Sequence, residues 1–291
     1  MIKKGNNFYT IVIVQILLFI IIGCNAENLG ITLNHKWSSD KVFKVPESVN
    51  YDNERDLLYI SNISGKPSGK DGNGFISQLK LTGEINNLKW ITGLNAPKGG
   101  SIYEDKFYVS DIDELIEIDI AKGKIINKYQ IQGAIFLNDV ATDDSGNVYI
   151  SDASSENSVI YKFTNGSIFK WIEGEEISSP NGLCISNNKL FVGNSGDGKI
   201  KSIDLNTKEI KEIAEIGSGI DGLKIDNKGN IFISDWQGRT LVVKKSGEIK
   251  TLLNTVKEKI NSADIELIQE KNLLIIPTFF DNRIVCYEIR K

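Results

Sequence analysis

The sequence predicts an all-β fold, a six-bladed β-propeller whose ring is closed by an N-terminal strand joining the last blade. Three observations predict it. An apolar strand with an aromatic or aliphatic residue at its centre recurs as LLYIS around Tyr59, KFYVS around Tyr108, NVYIS around Tyr149, KLFVG around Phe191, NIFIS around Phe232 and LLIIP around Ile275. The spacings between them are 49, 41, 42, 41 and 43 residues, the period of propeller blades made of short strands. Finally, a tight hairpin follows five of the six copies, and an unclaimed strand-like segment stands at the opposite end of the chain.

The chain opens with a different kind of segment. Lys3 and Lys4 precede an apolar run from Phe8 to Ile22, broken by Tyr9, Thr10 and Gln15, which reads as an export signal to be set apart from the fold. The run is shorter than the roughly 20 residues that cross a bilayer. It stops at Ile21-Ile22-Gly23-Cys24, a spacing that resembles the lipobox of bacterial lipoproteins and implies cleavage before Cys24 and lipidation of its thiol. An uncleaved anchor helix and an ordinary secretory peptide are the alternatives. The expected organisation is a signal peptide over 1–23, a tether over 24–35 and the propeller over 36–291, on a protein attached to the bacterial cell envelope.

Within each copy a short first strand (VNYD, LCIS, LKID) runs through a polar turn (DDSGN, DNKGN, SNNK) into the apolar second strand. A third strand such as LIEIDI or IKSIDL then turns tightly into a fourth: LTGEI at Gly83, AKGKI at Gly123, TNGSI at Gly166, NTKEI at Lys208 and KSGEI at Gly247. The sixth copy ends with its third strand, Ile284 to Arg290. Its fourth is expected from Lys36 to Val45, which would close the ring and hide two sheet edges. The one helical segment considered is Val256 to Ile260.

Composition removes several function classes. The formal charge of -4 becomes -6 when Lys3 and Lys4 are cleaved away, and with no basic cluster this argues against nucleic acid as a partner. His35 is the single histidine and lies in the N-terminal segment, which argues against histidine-based zinc sites and catalytic triads. Cys184 and Cys286 fall inside apparent strands and read as small buried hydrophobes, although an exported compartment permits a bridge. No haem-attachment motif or dinucleotide-binding glycine loop is present.

The residues just before the first strands occupy equivalent places around the axis: Glu47, Lys98, Asn138, Asn181, Asp221 and, with a one-residue ambiguity of register, Ala263 or Asp264. Carboxylates and carboxamides dominate this set. Oxygen donors without His or Cys suit a hard cation, calcium before zinc or copper, with magnesium or manganese as competitors. The plainer reading is that Asn and Asp make turns there, which covers Asn181-Gly182 and Asp221-Gly222 better than Glu47 or Asn138-Asp139.

At these residues, in the ordered set Glu47, Asn138-Asp139, Pro180-Asn181-Gly182 and Asp221-Gly222, the chain resembles the gluconolactonase and regucalcin family (senescence marker protein type), calcium-dependent six-bladed propellers. The resemblance runs from Pro46 to Tyr287. It implies metal ligation by Glu47, Asn181 and Asp221, with Asn138 close by or reached through water and Asp139 behind it. It also implies lactone or ester hydrolysis, with Asp221 assisting an attacking water. Two places depart from the family pattern. Phe136 stands where sugar lactonases carry an Arg, which argues against an aldonolactone. Lys98 in Pro97-Lys98-Gly99 stands where paraoxonase-like relatives carry a His, making it a catalytic candidate, a counter-ion for Asp139, or a solvated loop lysine.

Trp90 and Trp171 are expected to pack between blades. Trp236, with Phe279, Phe280 and Asp281 at the matching end of the last blade, could border the pocket. Ser64 to Gly74 is a flexible loop or a lid over the channel mouth. A small-molecule lactone or ester hydrolase, acting as a monomer, is the first functional expectation. The second is a non-catalytic, calcium-stabilised propeller that binds a glycan, peptide or partner protein.

Overall fold

The computed structural model describes Met1 and residues 30–291, so the signal segment and Cys24 lie outside the described residues. Six four-stranded antiparallel sheets form the blades. Their innermost strands are Pro46–Asp52, Pro97–Tyr103, Leu137–Thr142, Pro180–Ser186, Leu223–Ile225 and Glu266–Ile268. Each meets its neighbour in order and the last meets the first, which closes the ring. The second strands are Leu57–Asn62, Lys106–Asp111, Val148–Asp152, Lys189–Asn194, Ile231–Asp235 and Leu273–Pro277, the six copies that the repeat predicts.

Burial explains why those copies were so plain. A second strand is covered on both faces by the neighbouring blades, so it carries a continuous apolar run rather than an alternating one. Val148–Asp152, Ile231–Asp235 and Leu273–Pro277 are buried at every residue, whereas the outermost strand Lys124–Gln130 is largely exposed and polar. Aromatic residues fill the wedges between blades. Tyr59 stacks on Trp90 at 4.7 Å and on Phe107 of the next blade at 5.3 Å, and Trp171 meets Tyr149 edge-on at 4.8 Å. Trp90 and Trp171 therefore pack as expected.

The ring closes with an N-terminal strand, Thr32–Ser38, antiparallel to Ile284–Arg290 in a register running from Thr32↔Arg290 to Ser38↔Val285. This corrects the expected span of Lys36 to Val45. The strand starts four residues earlier, in the segment expected to be tether. Its pairing ends where Ser39 exchanges hydrogen bonds with Ile284, donating its N–H at 2.9 Å and accepting from the Ile284 N–H at 3.0 Å. Val42 and Phe43, which looked like strand residues, instead plug the seam between the sixth and first blades; Phe43 is fully buried in a cluster with Val49, Leu58, Ile275 and Cys286. On the same seam the Trp37 indole donates to Leu81 O at 2.9 Å and covers Gly83, where a Cβ would lie 2.9 Å from the ring.

Cys286 is buried, Cys184 is partly buried, and both are free thiols. The 256–259 segment forms turns, and the short helices are the single 3-10 turns Gln269–Lys271 and Phe279–Asp281. Among the described residues no helix is long and apolar enough to cross a membrane.

Candidate functional site

The innermost strands all run in one sense, from a near face that carries their first residues to a far face. Four of the predicted axial positions fall at irregularities of register between first and second strands. The pairing jumps from Pro46↔Asn62 to Ser48↔Ser61, from Pro97↔Asp111 to Gly100↔Val109, from Leu137↔Asp152 to Val140↔Ile150 and from Pro180↔Asn194 to Leu183↔Val192. A bulge of this kind breaks the ladder and re-aims the side chains within it. Here it turns Glu47, Lys98, Asn138 and Asn181 toward the axis.

Residues that the sequence reading missed hold these bulges in place. Ser48 Oγ donates to Lys98 O at 2.7 Å, Ser151 Oγ donates to Asn181 O at 2.8 Å, and Ser110 Oγ donates to Asn138 O, each tying an axial backbone to the blade before it. Ser234 Oγ accepts from the Gly222 N–H at 2.8 Å. At the ends of second strands, Asp111 accepts the N–H groups of Asn95 and Ala96 at 2.8 and 2.7 Å, and Asp152 those of Ile135 and Phe136 at 2.8 and 3.0 Å. Those carboxylates fix the loops that deliver Lys98 and Asn138. The available signal was the recurring Ser-Asp pair after the apolar run.

Glu47, Lys98, Asn138, Asn181 and Asp221 line one near-face cavity of about 510 Å³, with Phe136 and Trp236 in its wall and Pro67 of the 64–74 loop at its edge. The Asn181 amide donates to Asp221 Oδ1 at 3.1 Å. The Glu47 Oε2, Asn138 Oδ1 and Asn181 Oδ1 atoms are buried without a hydrogen-bond partner. Buried oxygens of this kind are costly unless something satisfies them.

Asp139 and Asp264 occupy the next layer down. The Asp264 N–H donates to Glu47 O at 2.9 Å, and a Cβ on Gly222 would meet Asp264 much as one on Gly99 would meet Asp139. The register ambiguity is thereby resolved: Ala263 takes the sixth axial place and Asp264 matches Asp139, three blades away. Asp139 is spent on the N–H groups of Val140 at 2.7 Å and Leu183 at 2.6 Å, while both Asp264 carboxylate oxygens lack a partner.

Crowding of carboxyls dominates the electrostatics. Burial pushes Glu47 well above the usual carboxyl range, and the charges of Asp221 and Asp264 push it further. Burial, with the charge of Asp139, raises Asp221 to about 7 against the opposing hydrogen bond from Asn181. Burial lowers Lys98 to about 8. The Lys98 ammonium donates to Ala96 O at 3.2 Å and stands 4.5 Å from the centroid of the Phe136 ring, a cation–π contact rather than a pairing with Asp139.

A third layer, three residues along each first strand, surrounds a 250 Å³ cavity at the far end and includes Asn50, Ser101, Cys184, Lys224 and Glu266. Burial disfavours the Lys224 ammonium there, but the charges of Asp264, Glu266 and Asp139 outweigh it and hold the lysine protonated.

Among the described residues no group of three or more His, Cys, Asp or Glu side chains is arranged to hold a metal ion. The near-face set is of another composition, two carboxylates and two carboxamides, with three of its oxygens unsatisfied. That donor set fits a hard, oxygen-seeking cation.

A six-bladed propeller with a polar axial pocket on one face defines the class of protein. Residues 45–259 match the model of the SMP-30/Gluconolactonase/LRE-like region, and the chain belongs to that family. No curated protein matches it. Among solved structures, a virginiamycin B lyase from Staphylococcus aureus with quinupristin is similar at 14% identity and TM-score 0.63, covering 89% of this chain and 99% of that one. A luciferin-regenerating enzyme is similar at 15% identity and TM-score 0.62, covering 90% and 96%. Identities this low establish the shared fold and nothing finer.

Proposed function

We propose that the protein is a calcium-dependent hydrolase of a small lactone or ester, exported and anchored through Cys24. The observation that carries the catalytic reading is the convergence of unpartnered oxygens from Glu47, Asn138 and Asn181 on the cavity floor beside Asp221. Those four residues would hold the cation. Calcium bound there supplies charge that polarises a carbonyl oxygen and offsets negative charge developing on it. Asp221 is the residue placed to take a proton from an attacking water, because it is buried at the floor with the open cavity in front of it. Asn181 orients it through the 3.1 Å hydrogen bond. Asp139, fixed by two N–H groups, sets the backbone of the Asn138 bulge.

The direction of the closing strand bears on the anchor. Thr32–Ser38 runs from far face to near face, and Gly30 lies beside Lys244 and Lys250 of the far-face hairpin. Five residues separate Cys24 from Gly30, a reach of at most about 20 Å. A lipid on Cys24 would hold the far face toward the membrane and turn the cavity away from it, open to a diffusing substrate.

The test is calcium binding by the protein from Asn25 onward, measured by calorimetry beside folded Asp221→Ala and Asn181→Ala variants. Saturable binding lost in both variants supports the reading. A folded protein that binds no calcium overturns it.

A further inference from the structure

The near-face cavity has two chemically distinct halves. Its floor is polar, formed by the axial residues. Its outer wall is aromatic: Trp236 meets Phe279 at 5.6 Å and Phe280 at 5.9 Å, and Phe279 meets Phe280 at 4.8 Å, all edge-to-face. Phe279 is buried beneath, but Trp236 is 43% exposed and Phe280 61% exposed. Ile220, itself buried, also lines the cavity.

Two polar side chains of the wall are already committed, while the exposed Gln237 side chain also lines the cavity, at the margin of the aromatic cluster. Lys98 is engaged by Ala96 O and the Phe136 ring. Asp235 is held by Arg239 Nε at 2.9 Å and by the Gln237 N–H at 2.7 Å. Hydroxyl groups laid against the three aromatic rings would lose their hydration without regaining hydrogen bonds from those rings. An apolar substituent gains by leaving water there. Aromatic side chains left partly in water at the mouth of a cavity are the expected signature of such a subsite.

We infer that Trp236, Phe279 and Phe280 form a subsite for an apolar group, an alkyl chain or aryl ring, carried by the substrate next to its reacting carbonyl. The carbonyl lies at the floor and the apolar group extends outward along the wall. This assignment rests on the hydrolase reading for the carbonyl, and on the aromatic wall alone for the apolar group. It sets the substrate class apart from polyhydroxylated lactones.

The test uses γ-butyrolactones bearing no side chain, ethyl, butyl or hexyl, together with the non-hydrolysable γ-butyrolactams of the same side chains, with calcium present. Lactam affinity is read by calorimetry and lactone turnover by kcat/KM. Burial of each methylene should tighten lactam binding about fourfold, the equivalent of ~0.8 kcal/mol, until the wall is covered. Trp236→Ala and Phe280→Ala should flatten that dependence, and Phe169→Ala, an exposed aromatic away from the cavity, should leave it intact. Turnover of no lactone, with chain-length-dependent lactam binding that the two variants flatten, would retain the subsite and reject the hydrolase reading. Lactam affinities independent of chain length, or a dependence that both variants preserve, would overturn the subsite whatever the turnover.

Discussion

A Cβ placed on Gly99 would lie 2.2 Å from Asp139 Oδ1 and 2.6 Å from Asp139 Cα, so the second blade makes room for a carboxylate of the third. The space is filled by backbone as well as side chain and cannot be vacated by a rotamer change. Gly99→Ala should therefore displace the Asn138-Asp139 bulge at a cost of about 1–3 kcal/mol. Thermal melts should fall by roughly 2–4 °C per kcal/mol, and calcium affinity should fall with them. An unchanged melt with unchanged affinity would show that the bulge does not need its present position.

The buried carboxyls predict an unusual pH dependence in the metal-free protein. Glu47, Asp221 and Asp264 all have raised pKa values in the folded state, Asp221 to about 7, whereas unfolded carboxyls titrate near 4. From about pH 4 to about pH 7 the unfolded chain releases protons that folded Asp221 keeps, so its contribution to stability falls as pH rises and levels off above the folded pKa. Glu47 and Asp264 act in the same direction. In chelator the protein should melt lower at pH 8 than at pH 5, and calcium should recover much of the difference at pH 8. A chelated protein that gains stability across this window would contradict the shared buried charge.

Asp221→Asn separates stability from function. The substitution keeps the shape and removes one charge from the cluster, so in chelator at pH 8 it should raise the melting temperature. It should also weaken calcium binding at least tenfold, about 1.4 kcal/mol, and abolish lactone turnover. Loss of turnover with calcium affinity retained would leave Asp221 a proton-transfer group but not a ligand.

Lys98 is the cation in the cavity wall, and it lowers the cost of ionising Glu47. Lys98→Met removes that charge while keeping a chain that can lie on Phe136. With less positive potential at the floor, calcium should bind roughly three- to tenfold more tightly. If turnover falls while calcium binding tightens, Lys98 acts on the substrate; if turnover rises with occupancy, its role is electrostatic.

The blades were legible because their second strands are sandwiched between neighbours and must be apolar throughout, as around Tyr149 and Phe232. The axial ring was legible because Pro46, Pro97, Leu137 and Pro180 mark the same step in successive copies. The sixth copy was ambiguous because Ala263 presents only a methyl group at the axis, and the hydrogen bond from Asp264 N–H to Glu47 O that decides the register is not written in sequence. Val42 and Phe43 misplaced the closing strand, since an apolar plug and an apolar strand look alike in a short window. Lys224 and Glu266 went unread although the same register, carried three residues further, leads to them. The serines behind the bulges were hidden by looking like ordinary strand ends.

A lipid on Cys24 would be linked to the cavity through the sense of one strand, which makes the proposed arrangement testable as a pair. Gly30 emerges beside Lys250, whose ammonium donates to Ile31 O at 2.9 Å, on the far face. With a short tether, a lipid on Cys24 would leave Trp236 and Phe280 facing away from the bilayer. In membranes from cells fed a labelled fatty acid, the wild-type protein should carry label and Cys24→Ala should not. A cysteine introduced by Phe280→Cys should react with a membrane-impermeant maleimide in vesicles bearing the protein outward, and Lys208→Cys, on a far-face hairpin, should react several-fold more slowly. Equal rates at the two positions would mean that the tether lets the propeller tumble, and slower reaction at Phe280→Cys would reverse the orientation and place the aromatic wall against lipid.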